Sequence, residues 1–218
     1  MHIEEVRRRL MPLPAPLPSG PAAIDPLVLG QPGALADWMR RTAGAVPRDA
    51  AGLVLLVPGP DDAAHVILTV RPGGDMRHPG QISLPGGAAE AADDFPVGTA
   101  LREAAEEISL DPVVAGVDIM GTLDIVDVRV SGFMLVPVVA VASRAPVLDR
   151  HEREVAAILS VPVSTFLPGA PIRIVESERD GYQLRYGAFP FGDHDIWGAT
   201  ARVLGQLGAV LGEPIEPT

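Results

Sequence analysis

The chain is 218 residues long, enough for one domain and an extension but a tight fit for two. With 47% apolar residues it can bury a sizeable core, and a net charge of −11 leaves no basic surface for broad nucleic-acid binding. Zero cysteines exclude disulfides, thiolate catalysis and cysteine-based zinc sites, so oxygen or imidazole must hold any metal; all 17 basic residues are arginines, which excludes a lysine Schiff base.

Residues 1–50 read as an arm. A short basic helix is expected from about Ile3 to Leu10, followed by a proline-rich stretch, Met11 to Pro26, that cannot continue as helix or central strand. A second short helix fits Ala34 to Ala43. Together these suggest a loosely packed N-terminal arm ahead of a domain spanning 51–218. Glu4 and Glu5 precede the Arg7-Arg8-Arg9 run and prolines follow, so no leader-like pattern opens the sequence. The uncharged run from Val155 to Ile172 is broken by three prolines and does not suit a membrane helix. A cytoplasmic protein without membrane contact is expected.

From residue 51 the pattern turns to strands. Leu53–Val57 and His65–Val70 flank Pro58-Gly59-Pro60 and an acidic turn, which predicts a β-hairpin. A Gly/Pro-rich loop leads to Ile82-Ser83-Leu84 and then Pro85-Gly86-Gly87. The spacing predicts a helix over Val97–Ser109, capped near Thr99. Strands are expected at Ile119–Val126, Gly132–Ala142 and Ala156–Val161, and a second hairpin around Asp180-Gly181. An amphipathic helix closes the pattern from about Asp195 to Leu211. Strands flanking one internal and one terminal helix predict an α/β fold, a mixed sheet between helices.

The densest chemistry lies in the internal helix. Glu103, Glu106 and Glu107 stand at i, i+3 and i+4, so three carboxylates share one face while Leu101, Ala104, Ala105 and Ile108 form the other. Like charges at that spacing repel by roughly 0.2–0.5 kcal/mol per pair, and a divalent cation removes the repulsion. Arg102 flanks the carboxylates and can fix their rotamers. Upstream, the amides of Gly86 and Gly87 can approach phosphate oxygens with no side chain in the way, and a carbonyl there can complete a metal site.

These residues resemble the Nudix hydrolase signature, Gly-x5-Glu-x7-Arg-Glu-U-x-Glu-Glu-x-Gly-U with U aliphatic. The chain reads Gly87-x5-Asp93-x8-Arg102-Glu103-Ala104-Ala105-Glu106-Glu107-Ile108-Ser109-Leu110. Asp93 replaces the first glutamate, one extra residue precedes Arg102, and Ser109 replaces the last glycine. The first two departures resemble the coenzyme A pyrophosphatase branch, whose upstream motif is matched in register by Thr69, Arg71, Gly80, Pro85, Gly86 and Gly87. Pro72, Met76 and Leu84 depart from it, with Arg77 beside the missing arginine at Met76. Further likeness lies in Ser131-Gly132-Phe133, Glu154-Val155 and Ile196-Trp197-Gly198-Ala199-Thr200-Ala201-Arg202.

The resemblance implies a Nudix-type α/β/α sandwich and a pyrophosphatase cleaving coenzyme A or its derivatives to 3′,5′-ADP and 4′-phosphopantetheine. It implies Mg2+ or Mn2+ held by Glu103, Glu106, Glu107 and the Gly86 carbonyl, with Arg102 orienting the glutamates. Glu103 or a loop acid such as Glu152 or Glu154 would serve as general base. Arg71, Arg77, Gly86 and Gly87 are the candidate contacts to a small-molecule nucleotide substrate. Two alternatives stay open: a dinucleotide pyrophosphatase acting on ADP-ribose or NADH, and a sensor that binds a nucleotide without cleaving it. Oligomeric state has no signal in the sequence.

Overall fold

The computed structural model describes residues 1–29, 47–73, 80–128, 131–179 and 181–212. The expected helix over 34–43 and the residues Met76 and Arg77 lie outside them. The described chain forms twelve strands: β1 (Leu27–Leu29), β2 (Arg48–Pro58), β3 (Ala64–Val70), β4 (Ile82–Ser83), β5 (Gly86–Ala88), β6 (Val117–Thr122), β7 (Val126–Val128), β8 (Phe133–Ala142), β9 (Ala157–Pro162), β10 (Arg173–Arg179), β11 (Tyr182–Phe191) and β12 (His194–Ile196). Its helices are α1 (Ile3–Arg9), α2 (Val97–Ile108), α3 (Pro112–Ala115) and α4 (Gly198–Gly212).

β2 is the spine of an eight-stranded mixed sheet. It runs parallel to β8, with Gly52 opposite Pro137, and antiparallel to β3, with Leu56 opposite Val66. Because side chains alternate across a strand, β2 feeds two cores. Leu53, Leu55 and Val57 meet Ala100, Ala104 and Ile108 of α2 on one face. Val54 and Leu56 meet Leu204, Leu207 and Leu211 of α4 on the other. Each fully buried Val or Leu there contributes roughly 1.5–3 kcal/mol of transfer free energy. The result is the expected α/β/α sandwich. β10, β11, β12 and β1 form a second, antiparallel sheet.

The hairpin, α2, β8, β9 and the β10–β11 pair fall where the sequence places them. Five features differ. The N-terminal arm is not loose: Val6, Leu10 and Ile24 are buried in the α4-side core, and Arg9 donates to the Leu211 carbonyl at the end of α4 (2.8 Å). Val6 and Leu10 belong to the apolar stripe of α1, and Ile24 anchors the proline-rich stretch although no periodicity marks it. Moreover, β2 begins at Arg48, inside the span assigned to it. Gly86–Ala88 forms a strand because β2 offers an edge at Ala50–Gly52. The apolar run 119–126 is split into β6 and β7 around Leu123. Asp195 and Ile196 belong to β12, and α4 starts only at Gly198, whose φ of +66° suits glycine.

Candidate active site

The pairing of β5 with β2 sets the floor of the site. At Gly86 a Cβ would fall 2.4 Å from the Ala51 carbonyl oxygen, so only glycine lets the two strands approach. At Gly87 a Cβ would fall 2.5 Å from Glu103 Oε1, so the second glycine lets α2 lie close over the strand. The glycine pair and the acidic helix are thus one construction. The buried side of α2 is Ala100, Ala104 and Ile108; Ala105, expected there, is exposed.

Arg102 is the hub of this construction. Its Nε and Nη2 grip Asp93 in a two-pronged contact (3.0 Å each), Nη2 also donates to the Ala88 carbonyl, and Nη1 is shared by Glu103 Oε1 and Glu106 Oε2 (3.0 Å each). A planar guanidinium suits this many acceptors, whereas an ammonium does not. Asp93 also accepts from the Glu90 amide (2.9 Å) and the Thr99 hydroxyl (2.8 Å). The Arg102 hydrogen bond, then the Glu90 amide and Thr99, hold the Asp93 carboxyl well below the usual carboxylate range; the bond to Asp93 likewise raises Arg102. Thr99 is therefore not a helix cap. Pro96 holds the cap position, with no side-chain cap bond.

Glu107 is the strained member. It accepts one hydrogen bond, from the Gly86 amide (3.2 Å), and has no ion-pair partner among the described residues. Burial pushes its carboxyl up to about 7, Glu103 and Glu154 push the same way, and the Gly86 bond and the Arg71 charge offset only part of it. Burial also raises Glu103, against the pull of Arg102. Glu106 is exposed.

The surrounding strands bring two more residues to this end of the sheet. Thr69 and Ile67 of β3 face the α2 side, and Arg71 continues that alternation, close enough for its charge to act on Glu107. The segment before β9 is tied to the end of α2 by the Asp149 amide on the Ile108 carbonyl (3.2 Å) and the His151 amide on the Glu107 carbonyl (2.9 Å). That places Glu154 where its charge reaches both Glu103 and Glu107. Glu152 instead pairs with Arg150 at 3.5 Å and is largely exposed. Asp124 lies on the other face, bonded to Gln206 of α4. Trp197 stacks on Tyr186 with ring centroids 5.1 Å apart. Arg77 lies outside the described residues.

Among the described residues, no three acidic or histidine side chains converge on one point. Glu103 and Glu106 turn onto Arg102, and Glu107 onto the Gly86 amide. The donor set nevertheless fits a hard divalent cation: three carboxylates on one helical face, one of them half-buried and without an ion-pair partner among the described residues. The Asp93–Thr99 tie escaped the sequence reading. Its signal was available, since Thr99 precedes Arg102 by three residues and so shares its side of the helix.

A mixed sheet between helices, carrying glycines against an acidic helix, defines a Nudix-type hydrolase domain. The NUDIX domain family matches residues 40–177, and the chain belongs to the Nudix family. It is similar to an uncharacterized Nudix hydrolase, NudL, of Enterobacter sp. (strain 638), at 35% identity over 135 residues, 61% of this chain and 68% of the relative. The NudL of Cronobacter sakazakii (strain ATCC BAA-894) is 34% identical over 136 residues, covering 62% and 68%. Among solved structures, the M. smegmatis Nudix hydrolase RenU shares 25% identity with a TM-score of 0.46, over 56% of this chain and 74% of that one. The chain is a pyrophosphohydrolase of a family that uses divalent metal ions and acts on small nucleotide substrates. No helix among the described residues is long and apolar enough to cross a membrane.

Proposed function

We propose that this chain is a cytoplasmic enzyme hydrolysing the pyrophosphate bond of coenzyme A or its derivatives to 3′,5′-ADP and 4′-phosphopantetheine. The observation that carries the reading is the run from Thr69 to Gly87, where Thr69, Arg71, Gly80, Pro85, Gly86 and Gly87 keep the register of the coenzyme A branch. The charge of Arg71 acting on Glu107 supports it further, because a substrate cation contact then sits beside the acidic helix.

Glu103, Glu106, Glu107 and the Gly86 carbonyl would hold Mg2+ or Mn2+. When bound, such an ion offsets phosphate charge and lowers the pKa of the attacking water. The chain's own residues do the rest. Arg102 holds Glu103 and Glu106 against each other's repulsion. The Gly86 and Gly87 amides approach phosphate oxygens, and Arg71 and Arg77 clamp the substrate's phosphates through guanidinium forks. Glu103, half-buried and with its carboxyl raised, accepts the proton released by water.

The test is a substrate panel. Purified protein with Mg2+ or Mn2+ is offered coenzyme A, ADP-ribose, NADH and nucleoside triphosphates, with products identified by mass. Coenzyme A should have the highest kcat/KM and yield 3′,5′-ADP. Preference for ADP-ribose or NADH would overturn the coenzyme A assignment in favour of a dinucleotide pyrophosphatase.

A further inference from the structure

Thr99 is fully buried and polar, and its hydroxyl is directed at a single acceptor, Asp93 Oδ2, at 2.8 Å. That oxygen also receives the Glu90 amide (2.9 Å) and Arg102 Nη2 (3.0 Å), while Oδ1 receives Arg102 Nε (3.0 Å). A two-pronged arginine contact sets a carboxylate in the plane of the guanidinium. Donors from Glu90 and Thr99 fix it from two further directions. Thr99 sits one turn ahead of Arg102 on the same helix, and its β-branched side chain has little χ1 freedom. The loop from Thr99 through Asp93 to Arg102 therefore closes on a rigid base.

We propose that Thr99 is a positioning residue: through Asp93 it fixes the Arg102 guanidinium, and through Arg102 it fixes the direction in which Glu103 and Glu106 present their oxygens to a divalent cation. The same arrangement fits two departures of this chain from the Nudix signature. Aspartate is one methylene shorter than glutamate, and the interval to Arg102 is one residue longer. A shorter acid on a longer connection depends more on a second anchor, and Thr99 supplies it. The inference holds whatever the substrate.

Three variants test it, with Mn2+ as the probe and no substrate present. Thr99→Val removes the hydroxyl at nearly constant volume. It should weaken Mn2+ binding, measured by calorimetry, about tenfold, the lower end of the effect of removing a residue that supports a metal ligand. In the metal-free protein it should also speed hydrogen exchange at Arg102 Nε, read by NMR. Thr99→Ser keeps the hydroxyl and should stay within about twofold of wild type in binding. If Thr99→Val does not fold, Thr99→Ala against Thr99→Ser makes the same comparison, since both shorten the side chain and only one retains the donor. Equal Mn2+ binding by the hydroxyl-free and hydroxyl-bearing variants, with unchanged exchange at Arg102, overturns the proposal.

Discussion

Two polar hubs sit on opposite faces of the eight-stranded sheet, built from opposite chemistry. On the α4 face, Gln206 is buried and neutral. Its Oε1 accepts from the Asp124 amide (3.0 Å), and its Nε2 donates to Asp124 Oδ2 (2.6 Å) and the Pro18 carbonyl (3.2 Å). This ties the arm, the β6–β7 connection and α4 together. On the α2 face, one arginine serves three carboxylates and a fourth, Glu107, has no ion-pair partner among the described residues and only the charge of Arg71 acting on it. The first hub is closed and needs nothing more. The second carries surplus negative charge that the fold itself does not neutralise. Buried polarity alone does not mark a site; buried charge left in excess does.

Breaking each hub should have a different signature. The largest effect is expected at Glu107→Gln, which keeps the shape and removes the charge of a proposed metal ligand. Turnover on the best substrate of the panel should fall by about two orders of magnitude or more, in a protein that still folds. If coenzyme A is the substrate and Arg71 its phosphate contact, as proposed, Arg71→Ala should raise KM for coenzyme A by about tenfold or more, the cost of losing a charge-assisted contact. An equal rise for dephospho-coenzyme A would move Arg71 to the scissile pyrophosphate. Asp93→Glu, although it restores the family's usual residue, should weaken Mn2+ binding about tenfold. An extra methylene shifts the carboxylate away from the positions that Thr99, Glu90 and Arg102 now bond. Gln206→Leu should leave Mn2+ binding unchanged while lowering unfolding free energy by about 2–3 kcal/mol, as Asp124 and Pro18 lose their partners. Loss of metal binding in that variant would erase the distinction between the hubs.

The sequence reveals these two hubs unequally, for physical reasons. Glu103, Glu106 and Glu107 announce themselves by spacing, because helical geometry alone puts them on one face. Strands β2, β3 and β8 are legible because each is a continuous apolar run feeding two cores. Gln206 has no such mark: an amide at the ninth position of α4 gains its role only when Pro18 and Asp124 arrive from distant segments. β5 is equally silent, since Gly86 and Gly87 read as loop until the edge of β2 pairs with them. Ile196 fits a helical stripe as well as a strand, and the positive φ of Gly198, which separates the two, is not written in hydrophobicity. The packing of the arm is less legible: Ile3, Val6 and Leu10 form a short helical stripe, but Ile24 lies in a proline-rich stretch and its burial comes from tertiary packing.

The most direct test of the α2 face as a cation site is unfolding free energy against pH, for wild type and Glu107→Gln, with and without saturating Mn2+. Burial raises Glu107 from an ordinary 4.5 to about 7. A carboxyl raised in the folded state adds stability that is whole below about 4.5 and is lost as pH climbs through about 7. Each pH unit of that window costs up to about 1.4 kcal/mol. Metal-free wild type should therefore lose stability relative to Glu107→Gln between about pH 4.5 and 7, and Mn2+ should remove that loss. A difference between the two proteins that has the same slope with and without Mn2+ would contradict the assignment of this face to a metal.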